Sequence, residues 1–186
     1  MNDPAMLGQV HYKRHESDAY STPAWCTQSL LNSVEIPEAW RVWEPAAGDG
    51  AIADVLSKRG LNVLSTDIRT GLDFLAIDPG ESIYDGVSAV ITNPPYSVAD
   101  EFIKQALRLM KLRRGLVAML LRNEFDCARK RIDLFGDCLH FSTKVVLTRR
   151  PRWIPGTTTG PRHNFAWFVW DFQQMGPPKI KWSICL

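Results

Sequence analysis

The chain has 186 residues, enough for one domain, and its 45% apolar content can bury a full core. A net charge of +2 is mildly basic, so the placement of charge says more about polyanionic partners than its sum does. No run approaches the roughly eighteen apolar residues of a membrane span, and the first eighteen residues hold no apolar signal segment, which predicts a soluble cytoplasmic protein with no membrane partner.

Residues 1–19 read as a flexible N-terminal arm, and residues 20–186 as a single domain. Thr22-Pro23 predicts a helix to about Asn32, with Thr as N-cap and Pro at the first helical position. A short strand at 41–43 leads into Glu44-Pro45-Ala46-Ala47-Gly48-Asp49-Gly50. A helix follows over 51–59 and stops at Gly60, and a second strand over 61–66 ends at Asp67. A loop carries Gly71, Asp73 and Phe74. The third strand, 87–92, runs into Asn93-Pro94-Pro95-Tyr96, and an amphipathic helix spans 98–112. Residues 115–121 form a buried strand, 124–135 a helix, and 138–147 end in a strand. The Gly-, Pro-, Arg- and Thr-rich loop 149–163 precedes two closing strands, 165–171 and 180–184. Strands alternating with helices predict an α/β fold with a doubly wound, mostly parallel sheet. Two closing strands with no helix between them predict a C-terminal antiparallel hairpin.

The four cysteines lie at least eleven residues apart, so there is no C-x-x-C pair, and the histidines form no metal-ligand pattern. The predicted site carries no metal, and the thiols read as reduced. In the 44–50 loop, Gly48 and Gly50 permit a tight turn and close approach of a ligand. The loop lacks the Lys-Ser/Thr of a P-loop and the spacing of G-x-G-x-x-G. Glu44 and Asp49 suit a ligand with an amine or sulfonium charge. Asp67, at a strand end, can accept both ribose hydroxyls of a nucleoside. Asp73-Phe74 can take an adenine amino group and cover the ring.

Asn93-Pro94-Pro95-Tyr96 makes a rigid pocket edge at a strand exit. Its acceptors suit the hydrogens of a planar amine, and Tyr96 offers a stacking face. Arg149, Arg150, Arg152, Arg162 and His163 gather around Trp153 and Thr157 to Thr159. Cations, hydroxyls and an aromatic ring in one loop suit a phosphate backbone with a stacked base. Arg122, after the fourth strand, adds to the same cleft.

In order and together, these motifs resemble the S-adenosylmethionine-dependent adenine-N6 DNA methyltransferases, of the small phage or prophage type. The resemblance implies a Rossmann-like class I methyltransferase fold with S-adenosyl-L-methionine as cofactor. It assigns Tyr20, Thr22 and Pro23 to the methionine carboxylate end of the cofactor. Glu44, Pro45, Ala46, Gly48 and Gly50 match the glycine loop, Asp67 and its neighbour Ile68 the ribose site, and Asp73 and Phe74 the adenine site. Asn93, Pro94, Pro95 and Tyr96 match the catalytic tetrapeptide. The Asn93 side-chain carbonyl and the Pro94 backbone carbonyl would accept the two hydrogens of the adenine N6 amine, while Tyr96 stacks on the flipped base.

Only 25 residues separate Asp67 from Asn93, too few for an inserted domain, and no appended target-recognition domain is expected. The expected partner is therefore a nucleic acid, DNA ahead of RNA, read with little sequence preference, as a single strand, or by a homodimer. Two other readings stand beside this one. Adenine in RNA, cytosine N4 or protein glutamine would use the same kind of edge. A catalytically inactive, nucleic-acid-binding subunit would keep the fold without the chemistry.

Overall fold

A computed structural model describes residues 21–153, 163–174 and 176–183. Tyr20, Arg162 and Thr157 to Thr159 lie outside the described residues. The elements are α1 (Ala24–Leu31), β1 (Arg41–Glu44), α2 (Ala51–Lys58), β2 (Asn62–Ser65), β3 (Val87–Thr92), α3 (Ala99–Arg113), β4 (Leu116–Arg122), β5 (Phe141–Val146), β6 (Phe165–Asp171) and β7 (Lys179–Trp182). The seven strands form one sheet in the order β2-β1-β3-β4-β6-β5-β7. β2, β1, β3 and β4 are mutually parallel, and β6 runs antiparallel to both β4 and β5. The predicted α/β fold with a mostly parallel, doubly wound sheet is the observed one.

Period-two patterning explains the two layers. In β4, Val117, Met119 and Leu121 face one core, while Leu116, Ala118 and Leu120 face the other. α3 covers the first face with Phe102, Ile103, Ala106, Leu109 and Met110, an apolar stripe at helical spacing. Asp100 and Glu101 in its first turn, and Lys111 and Arg113 in its last, complement the helix dipole. A β-carbon on Gly115, just past α3, would lie 2.5 Å from the Ser88 carbonyl oxygen, so only glycine lets the chain turn into β4 here. α1 and α2 cover the opposite face through Cys26, Leu30, Ile52 and Leu56. Among the described residues no helix is long and apolar enough to cross a membrane.

Three local expectations need correction. The antiparallel part of the sheet is present, but the two closing strands do not pair with each other. Both edges of β6 are taken by β4 and β5, so β7 lies on the far side of β5 and runs parallel to it. The stretch predicted as a helix over 124–135 is two 3-10 segments, Phe125–Cys127 and Arg129–Leu134, split by Ala128 in an extended conformation. Tertiary bonds hold it so: the Arg131 guanidinium donates to Asp100 and to the Phe125 carbonyl, and Trp170 Nε1 donates to the Leu134 carbonyl. Lastly, α1 begins at Ala24 with Pro23 in the cap position and no side-chain cap bond. The Thr22 hydroxyl is engaged elsewhere.

Candidate active site

The chain crosses from β2 to β3 over β1, so the direction of winding reverses beside β1. Open α/β sheets bind ligands at that point, outside the carboxyl ends of the strands. A cavity of about 230 Å³ lies there, larger than the ~150 Å³ that holds a benzene. Glu44, Gly48, Asp67, Asp73 and Asn93 all line it. Pro45, Ala46, Phe74, Pro95 and Thr22 complete much of its wall.

The 44–50 loop is tied to the end of β2. Thr66 N–H donates to the Glu44 carbonyl, Ala47 N–H to the Thr66 carbonyl, and Trp43 Nε1 to Thr66 Oγ1. Gly48 and Gly50 turn the loop with φ of 60° and 86°, the left-handed region that favours glycine. Gly48 N–H donates to Asp67 Oδ2 at 2.8 Å, which joins the two predicted cofactor elements directly.

Glu44 is 1% exposed, and its Oε2 has no hydrogen-bond partner among the described residues. Burial pushes its carboxyl well above the usual range; the Ala53 N–H pulls it down, while Asp49 and Asp67 add to the rise. Such a group stabilises a cation brought beside it. Asp67 differs. Partial burial raises it, but hydrogen bonds from the Arg69 side chain and from the Arg69 and Gly48 backbone N–H groups outweigh that and hold it below the usual range. Arg69 Nε reaches Oδ1 at 2.8 Å and Arg69 Nη2 reaches Oδ2 at 3.3 Å.

Nearby, Asp73 Oδ1 accepts from Leu75 N–H. Phe74 lines the cavity but is a core ring, 2% exposed, set edge-on against Trp43 with centroids 5.1 Å apart. The apolar side chain that stands open at the cavity is Ile68, 66% exposed.

Asn93 follows the last residue of β3. Its Nδ2 donates to Thr22 Oγ1 at 3.2 Å, and its buried Oδ1 has no partner among the described residues. The Pro95 carbonyl accepts from Val98 N–H, whereas no backbone N–H of the described residues reaches the Pro94 carbonyl. Tyr96 is half-buried against Phe165, with centroids 5.9 Å apart, and Trp153 meets Phe165 edge-on at 4.9 Å. This row of rings links the tetrapeptide to the basic loop. Arg149 lies over the Trp25 ring at 4.6 Å, and Arg150 Nε donates to Asn164 Oδ1 at 2.9 Å. Arg122, Arg152 and His163 are exposed. β4 and β5 end, and β6 begins, on the side of the sheet where β3 ends, so these cations share the edge that carries the cavity.

Sequence reasoning missed three participants. Trp25 and Phe165 carry no local pattern that marks them as site residues. Arg69 carried a legible signal, a cation two residues after a strand-end carboxylate.

No family model matches the sequence, and no curated protein matches it. Solved structures share its fold. A Listeria monocytogenes protein assigned to the class I S-adenosylmethionine-dependent methyltransferases superposes with a TM-score of 0.58 at 14% identity, over 92% of this chain and 67% of its own. The methyltransferase subunit of a type I restriction-modification system from Streptococcus thermophilus gives 0.53 at 15% identity, over 82% of this chain and 45% of its own. A Lactococcus lactis protein assigned as a hemolysin gives 0.59 at 11% identity, over 90% and 94%. The chain thus spans under half of the restriction-system subunit. These likenesses are of fold alone, a Rossmann-like α/β architecture.

Proposed function

We propose that this chain transfers a methyl group from S-adenosyl-L-methionine to the exocyclic N6 amine of adenine in DNA. The observation that carries the reading is Asn93 Oδ1: a buried acceptor with no partner among the described residues, at a strand end, on the wall of the same cavity as Glu44 and Asp67. The residues present fit the cofactor. Glu44 offers a buried carboxylate to its cationic end, the left-handed Gly48 and Gly50 leave two turn positions of the loop without side chains, and Ile68 and Asp73 flank a place for a purine. When bound, S-adenosylmethionine supplies an activated methyl group.

The chain's own groups prepare the acceptor. Asn93 Oδ1 and the Pro94 carbonyl take the two amine hydrogens, which draws the nitrogen toward tetrahedral geometry and localises its lone pair. The amine's surplus proton leaves to solvent. These acceptors are fixed before the substrate arrives, so little reorganisation opposes the step. Tyr96 stacks on the base, worth roughly 1–3 kcal/mol, which offsets much of the cost of extruding it. Support for a nucleic acid comes from Arg122, Arg149, Arg150 and Arg152 on the same sheet edge, with Trp153, and DNA is the substrate class of restriction-modification systems such as that of the Streptococcus neighbour.

Transfer of a tritiated methyl group to single-stranded DNA, duplex DNA, RNA and protein tests the reading. Label is expected in DNA adenine, and Asn93→Ala is expected to lower turnover about 10²–10³-fold, as removal of a preorganised polar group does elsewhere. Wild-type turnover by Asn93→Ala, or label confined to RNA or protein, overturns it.

A further inference from the structure

We infer that Thr22 is a positioning residue: by accepting from Asn93 Nδ2, its hydroxyl anchors the Asn93 amide with Oδ1 toward the acceptor amine. The inference rests on the proposed role of Asn93 and departs from the sequence expectation that Thr22 serves the cofactor. The terminal torsion of an asparagine is broad and roughly two-fold, and its oxygen and NH2 are close to isosteric. A neighbouring hydroxyl that accepts from the NH2 anchors the amide with its carbonyl end outward. The two ends have opposite effects. The carbonyl accepts from the substrate amine, whereas the NH2 would direct hydrogens at hydrogens.

Thr22 Oγ1 accepts from Asn93 Nδ2 at 3.2 Å, and this bond leaves Oδ1 as the end without a partner among the described residues. Thr22 has the rigidity to do this. It is 5% exposed and precedes the Pro23 cap of α1, whose Cys26 and Leu30 are fully buried. Cys26 N–H donates to the Pro23 carbonyl at 2.8 Å, and Trp167 Nε1, from the middle of β6, donates to the Cys26 carbonyl at 2.7 Å. The helix start is thus pinned to the sheet, and the hydroxyl stands at a fixed place beside the end of β3. A residue 71 positions upstream sets the orientation of the proposed catalytic amide.

Thr22→Val keeps the shape and removes the hydroxyl, and Thr22→Ser keeps the hydroxyl. Steady-state methyl transfer, with cofactor affinity from titration calorimetry and folding from thermal melts, separates the roles. Thr22→Val is expected to lose about 10–100-fold in kcat, the scale of a small misplacement of a reacting group. Its cofactor Kd and substrate KM should stay within about threefold of wild type, and Thr22→Ser should recover most of kcat. A Thr22→Val enzyme with unchanged kcat, or with a weakened cofactor Kd as its main defect, overturns the inference. So does a Thr22→Ser enzyme as slow as Thr22→Val, because the methyl group would then be what matters. Asn93→Ala, run in the same assay, locates the failure. If it is inactive while Thr22→Val is normal, the Thr22 inference alone falls. If it is fully active, the proposed role of Asn93 falls and takes Thr22 with it.

Discussion

Glu44 ends β1, and Asp67 lies two residues beyond the end of β2, the strand paired with it. Both carboxylates line one cavity, yet they sit in opposite states. Glu44 is fully enclosed, with an Oε2 that has no partner among the described residues and a raised pKa; Asp67 accepts from two backbone N–H groups and an arginine, and its pKa is lowered. Strand position explains the contrast. β1 is interior, between β2 and β3, so its end is walled in. β2 is the sheet edge, with no fully buried residue, so a mobile surface side chain can reach the group at its end. Interior placement makes an acceptor that waits for a cation, and edge placement makes an acceptor that is already satisfied.

Exchange of the interior carboxylate tests this most severely. Glu44→Gln keeps the shape and removes the charge. Hydrogen bonds to charged groups are worth about 1.5–3 kcal/mol, so cofactor affinity should fall about 10- to 100-fold. Stability without cofactor should rise or hold, since a buried carboxylate with no counter-ion among the described residues is costly to ionise. Opposite signs in calorimetric Kd and in melting temperature support the contrast; a parallel loss of both shows that Glu44 is an ordinary structural group.

The same contrast predicts a pH signature. Glu44 holds its proton in the fold at pH values where the unfolded chain has released it. The folded state then binds more protons, and stability drops as pH rises from the ordinary glutamate value through the raised one. Asp67 works the other way: its contribution is present above the ordinary aspartate value and is lost as pH falls through the lowered one. A cation beside Glu44 favours the ionised form, so binding should release a proton. Apparent affinity should climb with pH by at most about tenfold per unit and level off above the raised pKa. Titration in buffers of different ionisation enthalpy reads that proton, and heats independent of buffer exclude it.

The strand-end features were legible because each depends on neighbours close in sequence. Alternating strands and helices force a parallel sheet, and a parallel sheet brings Glu44, Asp67 and Asn93 to one edge. α3 likewise follows from its own apolar spacing. What was hidden depends on distant partners. The pairing of β7 was decided by β4 and β5 occupying both edges of β6, and the 3-10 turns at 125–134 by bonds to Asp100 and Trp170. Phe74 reads alike in sequence whether its ring covers a ligand or fills the core against Trp43. The Thr22 hydroxyl obeyed the cap rule in sequence and a long-range partner in the fold.

Arg69 gives the smallest effect and the finest test of the contrast. If Asp67 is to accept ribose hydroxyls, its acceptor sites must be open. The Gly48 and Arg69 backbone N–H groups take one site on each oxygen, at 2.8 and 2.9 Å, and the Arg69 guanidinium covers both oxygens again. The backbone bonds can persist with a ligand bound, but the guanidinium must let go. Its side chain is 46% exposed, so the pair is worth only about 0.2–1 kcal/mol. Arg69→Ala should therefore tighten cofactor binding by at most about fivefold. It should alter Glu44-dependent proton release only slightly, because Asp67 contributes less to the rise at Glu44 than burial does. Weaker binding by Arg69→Ala would instead make the guanidinium part of the cofactor site, and the edge carboxylate would then be no less poised for a ligand than the interior one.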